Sequence, residues 1–213
     1  MPNIREIRDR IESIKQILKI TNAMYLISSS KLKKARNALE STEPYFYKLQ
    51  ETTESVLEHT PHMQQLYFDR RSDIPQEKRK KGYIVITGDK GLCGSYNHNI
   101  LKFTEQKLDE TNDLDNCYLF VMGQVGRMYF QRRIKSGKQA YVDGEFLYTT
   151  QNPTLYRAGE IADTVLDKFR NGKLDEVWLL YTDMVTSSQQ ETKSLRLLPF
   201  ERRHFGKDKD GTV

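Results

Sequence analysis

An apolar residue recurs at every seventh position over the first forty residues, and a second row of residues follows it three positions later. The first row is Ile4, Ile11, Leu18, Tyr25, Leu32 and Leu39, and the second row is Ile7, Ile14, Thr21, Ser28 and Ala35. This spacing predicts a coiled-coil helix whose seam packs against another helix. Because the second row shrinks to Ser28 and Ala35, we expect that partner helix to approach closely.

Helical periodicity continues past Pro44 to about residue 58. Proline removes a backbone donor and crowds the preceding turn, so residues 1–58 are predicted to form one long kinked helix or two helices almost end to end. Such an element would be about 80 Å long, and we expect it to project from the domain that the rest of the chain forms. Residues 59–81 are polar, contain Pro61 and Pro75, and are predicted to be a linker.

Short apolar runs alternate with amphipathic stretches over residues 82–200, which predicts a Rossmann-like α/β domain with a mainly parallel sheet. A helix capped by Asn152 and Pro153 is expected before the last two strands. Residues 201–213 are predicted to be a polar tail. The expected strands cover residues 83–87, 118–122, 176–181 and 195–198, with a weak strand around 139–142. Of the other two helices, one covers about 99–109, and the other follows a turn at 123–126 and ends near residue 135.

Residues 1–40 hold nine Lys or Arg against four Asp or Glu, so this helix carries the whole net charge of +5. A basic helix favours an acidic partner, although a solvated helix face is the simpler alternative. Nucleic acid is not expected, because most of the cations are lysines and the nearby aromatic Tyr25 lies in the seam. A membrane surface is not expected either, because the stripe ends in the small residues Ser28 and Ala35.

A glycine-rich loop follows the first predicted strand of the α/β domain and contains Gly88, Asp89, Gly91, Cys93 and Gly94. Such loops can cradle phosphate, but the glycine spacing matches no nucleotide-binding pattern, so a tight turn is the favoured interpretation.

Cys93 could serve as a nucleophile with His98 five residues later, but a small apolar side chain packed under the loop is favoured. The two cysteines and four histidines show no metal-ligand spacing. No catalytic residue, metal or cofactor is predicted. No apolar run reaches the roughly 20 residues that span a bilayer.

Several segments resemble the γ subunit of F-type ATP synthase, the central rotor shaft, and together they span nearly the whole chain. The most specific are the helix motif and the glycine-rich loop, which we call the signature loop. The matching segments are Lys19–Met24, Ser29–Ala35, Pro44–Tyr45 with Lys48–Leu49, Ile86–Gly94, Glu176–Tyr181, and Gln190–Glu191 through Leu197–Pro199.

The resemblance implies a non-catalytic central-stalk subunit that couples proton flow through the membrane sector to ATP synthesis in the α/β ring. The implied partners are the α and β subunits, the ε subunit and the c-ring, at the cytoplasmic face of the bacterial plasma membrane as a peripheral component. Carried over by position, Met24 and the cations Lys31, Lys33 and Lys34 would contact the acidic lever segment of β. The implied fold pairs the long helix with a second helix, antiparallel, above an α/β domain.

Family members return through a second long helix after their last strand, whereas this sequence ends at Val213. We therefore expect a shortened form of the subunit. One alternative is a truncated paralogue that acts as a scaffold through its basic helix, and another is a small α/β nucleotide-binding protein that uses the signature loop. When isolated, the chain is expected to self-associate through its N-terminal helix, because burying the seam would recover roughly 1.5 to 3 kcal/mol per large side chain.

Overall fold

The computed structural model describes residues 3–60, 66–68, 71, 73–111, 116–135, 141–143, 146, 150, 153–186 and 189–200. Its contacts divide the chain into two compact units, and the long helix and the α/β domain belong to different units. The predicted tail, residues 201–213, lies outside the described residues.

The first unit is built on helix α1, a single α-helix from Ile4 to His59. It begins where the side chain of Asn3 accepts a hydrogen bond from the Arg5 backbone N–H, which satisfies one of the donors left free at a helix start. Pro44 lies inside the helix, which is therefore one element rather than two. The proline removes one donor, and the turns on either side continue regardless.

The second unit is an α/β domain. Its described elements are β1 (Lys81–Ile86), α2 (Tyr96–Asp109), β2 (Cys117–Met122), α3 (Gln124–Lys135), β3 (Tyr141–Asp143), α4 (Leu155–Arg170), β4 (Glu176–Met184) and β5 (Gln190–Leu198). The described strands form one sheet of five in the order β3-β2-β1-β4-β5. Neighbouring strands among the first four of that order run parallel, and β5 pairs antiparallel with β4. This confirms the predicted Rossmann-like class.

Side chains from the central strands alternate between two hydrophobic clusters, one on each side of the sheet. Val85 of β1 lies in the cluster that includes Ile100 of α2 and Phe130 of α3. Ile84, its neighbour along the strand, lies in the cluster that includes Phe169 of α4. The central strands are therefore covered on both sides, as expected for parallel strands with crossover helices.

The segment predicted as a linker differs from that expectation, because its described residues from Leu66 onward belong to the α/β domain's unit. Leu66–Phe68 and Gln76–Lys78 form short 3-10 turns. The Arg71 guanidinium pairs with the Asp175 carboxylate, and Arg79 Nη1 lies 2.9 Å from Glu176 Oε1. Both carboxylates are buried, so these ion pairs fix the segment beside the start of β4.

The start of α4 also differs from the prediction. Thr154 is the N-cap, and its hydroxyl accepts a hydrogen bond from the Arg157 backbone N–H at 3.3 Å. Asn152, the cap expected from the sequence, lies outside the described residues.

Candidate functional site

Four exposed side chains of α1 were predicted to contact a partner, and the helix places three of them on one side. An α-helix turns by about 100° per residue, so Lys31 lies only about 20° around the axis from Met24, and Lys34 lies about 60° beyond Lys31. Lys33 lies about 180° from Met24. One flat partner surface can therefore reach Met24, Lys31 and Lys34, all of which are exposed, but not Lys33 as well.

The signature loop joins the end of β1 to α2 and is anchored first at Thr87. The buried Thr87 hydroxyl donates a hydrogen bond to the Met122 carbonyl at 2.7 Å and accepts one from the Gly126 backbone N–H at 3.1 Å. Gly123 allows this approach, because a Cβ there would lie 2.2 Å from the Thr87 carbonyl oxygen. The loop is thus fastened to the turn between β2 and α3.

Asp89 provides the second anchor of the signature loop. Its Oδ1 accepts a hydrogen bond from the backbone N–H of Gln124, the first residue of α3, at 3.0 Å. Its Oδ2 accepts one from the Thr150 hydroxyl at 2.8 Å. A carboxylate at a helix N-terminus also interacts favourably with the helix dipole, so Asp89 is a structural acceptor here.

Asn97, which was not among the predicted site residues, closes the inside of the loop. Its Oδ1 accepts a hydrogen bond from the Gly88 backbone N–H at 2.8 Å, and its Nδ2 donates to the Lys90 carbonyl at 3.2 Å. Asn97 is buried in the first turn of α2. The helix was predicted to begin only at about residue 99, whereas α2 begins at Tyr96, so no local signal marked Asn97 as a buried residue.

The tip of the loop points outward. Leu92 is 96% exposed and has a left-handed backbone with φ of 59°. Cys93 is also exposed, so the expectation that its side chain packs under the loop is wrong. The amide of Asn97 fills that place instead, and its Nδ2 lies 3.1 Å from Cys93 Sγ.

The loop geometry supports a structural turn over a phosphate cradle. The Gly88 N–H is already bonded to Asn97, and Gly94 has a φ of 59°, the left-handed conformation that glycine supplies at a tight turn. Cys93 Sγ also lies 3.8 Å from the Lys90 carbonyl. No group of three or more potential metal ligands was found among the residues that the structure describes. Nor does the described part of the chain contain a helix long and apolar enough to cross a membrane.

A solved structure defines the class of fold. A chain of the Tetrahymena thermophila mitochondrial ATP synthase central stalk and c-ring matches with a TM-score of 0.61 and 22% identity, and the match covers 91% of this chain and 80% of that one. This chain, with its long helix and Rossmann-like domain, therefore shares its fold with a chain of that structure.

Sequence comparison gives the particular family. The family model described as "ATP synthase" matches residues 3–212. An ATP synthase gamma chain of Ruminiclostridium cellulolyticum is 46% identical over 93% of this chain. One of Desulfitobacterium hafniense is 34% identical over 95% of this chain and 68% of its own length. The chain belongs to the ATP synthase gamma chain family, and it spans 65% of the length of the Ruminiclostridium relative.

Proposed function

We propose that this chain acts as a non-catalytic central-stalk subunit of an F-type ATP synthase, which couples proton flow through the membrane sector to ATP synthesis in the α/β ring. Its proposed partners are the α, β and ε subunits and the c-ring, at the cytoplasmic face of the bacterial plasma membrane. The observation that carries the proposal is α1, a 56-residue helix with an exposed apolar seam, in a chain of the gamma family.

A helix of this length suits a mechanical role. At 1.5 Å per residue it extends for about 80 Å. Tyr25 and Leu18 of the seam are 69% and 58% exposed, so these apolar positions are open to a helical partner. A long helix that packs against a partner helix along its seam can transmit rotation as a stiff element. The subunits around it would respond by changing between discrete packing arrangements.

The proposed contact with the acidic lever segment of β is formed by Met24, Lys31 and Lys34. These side chains share one side of α1, and the lysines supply the charge that an acidic surface would attract. Lys33 lies on the opposite side of the helix and is not part of this proposed contact. The β subunit would therefore contact the Met24 side of α1.

The signature loop is proposed to hold an apolar tip in a fixed position, where it contacts a neighbouring subunit. The loop contains Gly88, Asp89, Gly91, Cys93 and Gly94. The hydrogen bonds of Asp89 hold the base of the loop. Leu92 at the tip is almost fully exposed in a backbone conformation that costs about 1–2 kcal/mol for a side chain with a Cβ. Strain at an exposed apolar residue supports a contact role, because the isolated domain gains nothing from it.

Assembly with α and β subunits tests this function. The chain is co-expressed with the α and β subunits of the Ruminiclostridium relative's complex, and the complex is purified through a tag on β. We expect the chain to purify with both subunits in a defined ratio. A chain that does not purify with them would contradict the proposal.

The isolated chain should also be titrated with ATP by calorimetry, because a nucleotide-binding protein would use the signature loop for phosphate. We expect no heat of binding at micromolar concentrations of protein. A clear micromolar affinity that is lost in Gly88→Ala would instead favour the nucleotide-binding alternative.

A further inference from the structure

We propose that Tyr67, Phe68 and Arg71 form a clamp, which holds the chain that follows α1 on the α/β domain and thereby makes α1 turn with that domain. The inference rests on the proposed function, since it assigns the positions through which the domain would pass rotation to α1. The three are positioning residues, and their role is to keep the connection between the two units short.

Tyr67 attaches the clamp to the domain at two places. Its backbone carbonyl accepts a hydrogen bond from the Phe200 N–H at 2.7 Å, and its hydroxyl oxygen accepts one from Arg170 Nε at 2.6 Å. Its ring stacks on that of Phe169, with 6.4 Å between the centroids and 23° between the planes. The ring of Phe68 lies 5.7 Å from that of Phe200, centroid to centroid. The clamp therefore contacts both the end of α4 and the residues that follow β5.

Arg71 adds contacts to buried groups. Its Nη2 donates a hydrogen bond to the Phe169 carbonyl at 3.0 Å, and its guanidinium carbon lies 4.7 Å from the centroid of the Phe169 ring. Its Nη1 pairs with Asp175, and both Phe169 and Asp175 are buried. The backbone of Arg71 is left-handed, with φ of 45°, a strained conformation that persists where the surrounding contacts fix it.

These contacts lead to the centre of the sheet. Asp175 immediately precedes β4, which lies between β1 and β5. Arg79 extends the attachment, because its Nη2 donates a hydrogen bond to the Arg71 carbonyl at 3.3 Å and its Nη1 lies 2.9 Å from Glu176 Oε1. Rotation of the sheet would therefore reach the clamp through charged hydrogen bonds, which are stronger than neutral ones.

The position of the clamp along the chain gives it a mechanical consequence. Residues 60–80 connect the end of α1 to the start of β1. A flexible connection of that length has an end-to-end distance on the order of 25 Å, and it bends and twists freely. With the clamp closed, only residues 60–66 separate the end of α1 from Tyr67. The short connection passes rotation on, whereas the long one would absorb it.

The other side of the sheet provides a matched control. Met128 and Tyr129 are neighbouring residues of α3 and are 45% and 39% exposed. Tyr129 makes contacts of the same kind as Tyr67, because its ring lies 5.2 Å from that of Phe130 and its hydroxyl hydrogen-bonds with Glu105. Truncating this pair removes similar side chains from the domain without changing the connection to α1.

The test measures the number of protons pumped per ATP hydrolysed, in membrane vesicles that hold a complex in which this chain replaces the gamma chain of the Ruminiclostridium relative. Poor assembly lowers pumping and hydrolysis together, so it leaves this ratio unchanged. The double variant Tyr67→Ala with Phe68→Ala should lower the ratio by about twofold or more, because a slack connection lets α1 turn ahead of the domain. Tyr67→Phe keeps the stacked ring and should retain most of the ratio. The control Met128→Ala with Tyr129→Ala should leave it unchanged.

Trypsin cleavage of the isolated full chain shows whether the double variant opens the clamp. The Arg71 side chain is only 12% exposed in the closed clamp. Cleavage after Arg71 should be faster by about tenfold or more in the double variant, because cleavage follows the population of the open form. Equal cleavage rates in the parent and the double variant would overturn the clamp.

The outcomes in the complex separate this inference from the function on which it rests. If the parent complex does not pump protons, the proposed function fails and the role of the clamp fails with it. If the parent pumps and the double variant pumps as many protons per ATP, the clamp is overturned and the function stands. A control variant that lowers the ratio as much as the double variant does would overturn the clamp in the same way.

Discussion

The carboxylate of Asp89 accepts a hydrogen bond from the backbone N–H of Gln124 at 3.0 Å, which ties the signature loop to the first turn of α3. Removing the acceptor leaves that N–H and the Thr150 hydroxyl without this partner. We therefore expect Asp89→Ala to lower the free energy of unfolding by about 1–2 kcal/mol. Urea unfolding followed by the fluorescence of Trp178, the single tryptophan, measures it. The control Lys90→Ala truncates an exposed side chain and should change the free energy of unfolding by less than about 0.5 kcal/mol.

Leu92 offers a test in which stability and assembly change in opposite directions. Asparagine tolerates the left-handed backbone at this position better than leucine does, so Leu92→Asn should stabilise the isolated chain by up to about 1 kcal/mol. The same change removes the apolar tip, so the amount of chain recovered with the assembled complex should fall.

The control for this pair of effects is Leu92→Ile, which keeps an apolar side chain but adds β-branching in a strained conformation. It should lower stability and retain assembly. Assembly that follows stability in both variants would show that the tip has no contact role.

The Arg71–Asp175 ion pair is expected to be essential for the stability of the α/β domain. Asp175 is 4% exposed and also accepts a hydrogen bond from the Lys80 backbone N–H at 2.8 Å. Asp175→Asn removes the carboxylate charge from this pair, and breaking a buried ion pair costs about 3–5 kcal/mol. Urea unfolding of the variant provides the measurement.

The matched control for Asp175 is Glu110→Gln. Glu110 pairs with Lys107 at 2.9 Å, but its side chain is 63% exposed. A surface pair of this kind contributes about 0–1 kcal/mol. Equal losses in the two variants would mean that the predicted linker is not held by its buried ion pairs.

Tyr83 gives the α/β domain a specific sensitivity to alkaline pH. Burial raises the pKa of its phenol from 10.0 to about 12, although the hydrogen bond with Thr111 lowers it in part. Between these two values the unfolded chain releases the proton and the folded chain keeps it. The contribution of protonated Tyr83 to the free energy of unfolding is therefore fully present below pH 10 and is lost as the pH rises toward 12.

A shift of this size corresponds to a loss of about 3 kcal/mol. The free energy of unfolding, measured in urea at pH 9, 10 and 11, should fall more steeply with pH for the parent chain than for Tyr83→Phe, whose side chain does not titrate. Parallel curves for the two proteins would contradict this assignment.

Local periodicity explains which parts of the fold could be predicted from the sequence. The seven-residue repeat predicted α1, and apolar runs predicted β1, β2 and β4. Only the apolar end of β5 was predicted, at residues 195–198, because the strand begins at Gln190 with polar residues at the sheet edge. Periodicity also located Met24 and the lysines on one helix. The rotation of the helix from residue to residue then places Lys33 on the side opposite Met24.

Features that depend on contacts between distant residues were not predicted. Arg71 and Asp175 are 104 positions apart in the sequence, so nothing local marked Arg71 as part of the α/β domain. The position of Cys93 was missed for a related reason. Its place inside the loop is taken by Asn97, and hydrophobicity alone favours a thiol over an amide at a buried position.

One side of α1 is proposed to bind an acidic surface of the α/β ring, and charge reversal on opposite sides of the helix distinguishes that side from the other. Lys31 lies on the Met24 side, and Lys33 lies about 160° around the axis from Lys31. The dissociation constant of each variant from a complex of α and β subunits should be measured at low and physiological salt. We expect Lys31→Glu to weaken binding by about tenfold or more, most strongly at low salt, and Lys33→Glu to change it by less than about threefold. Equal effects of Lys31→Glu and Lys33→Glu, or tighter binding of Lys31→Glu, would contradict it.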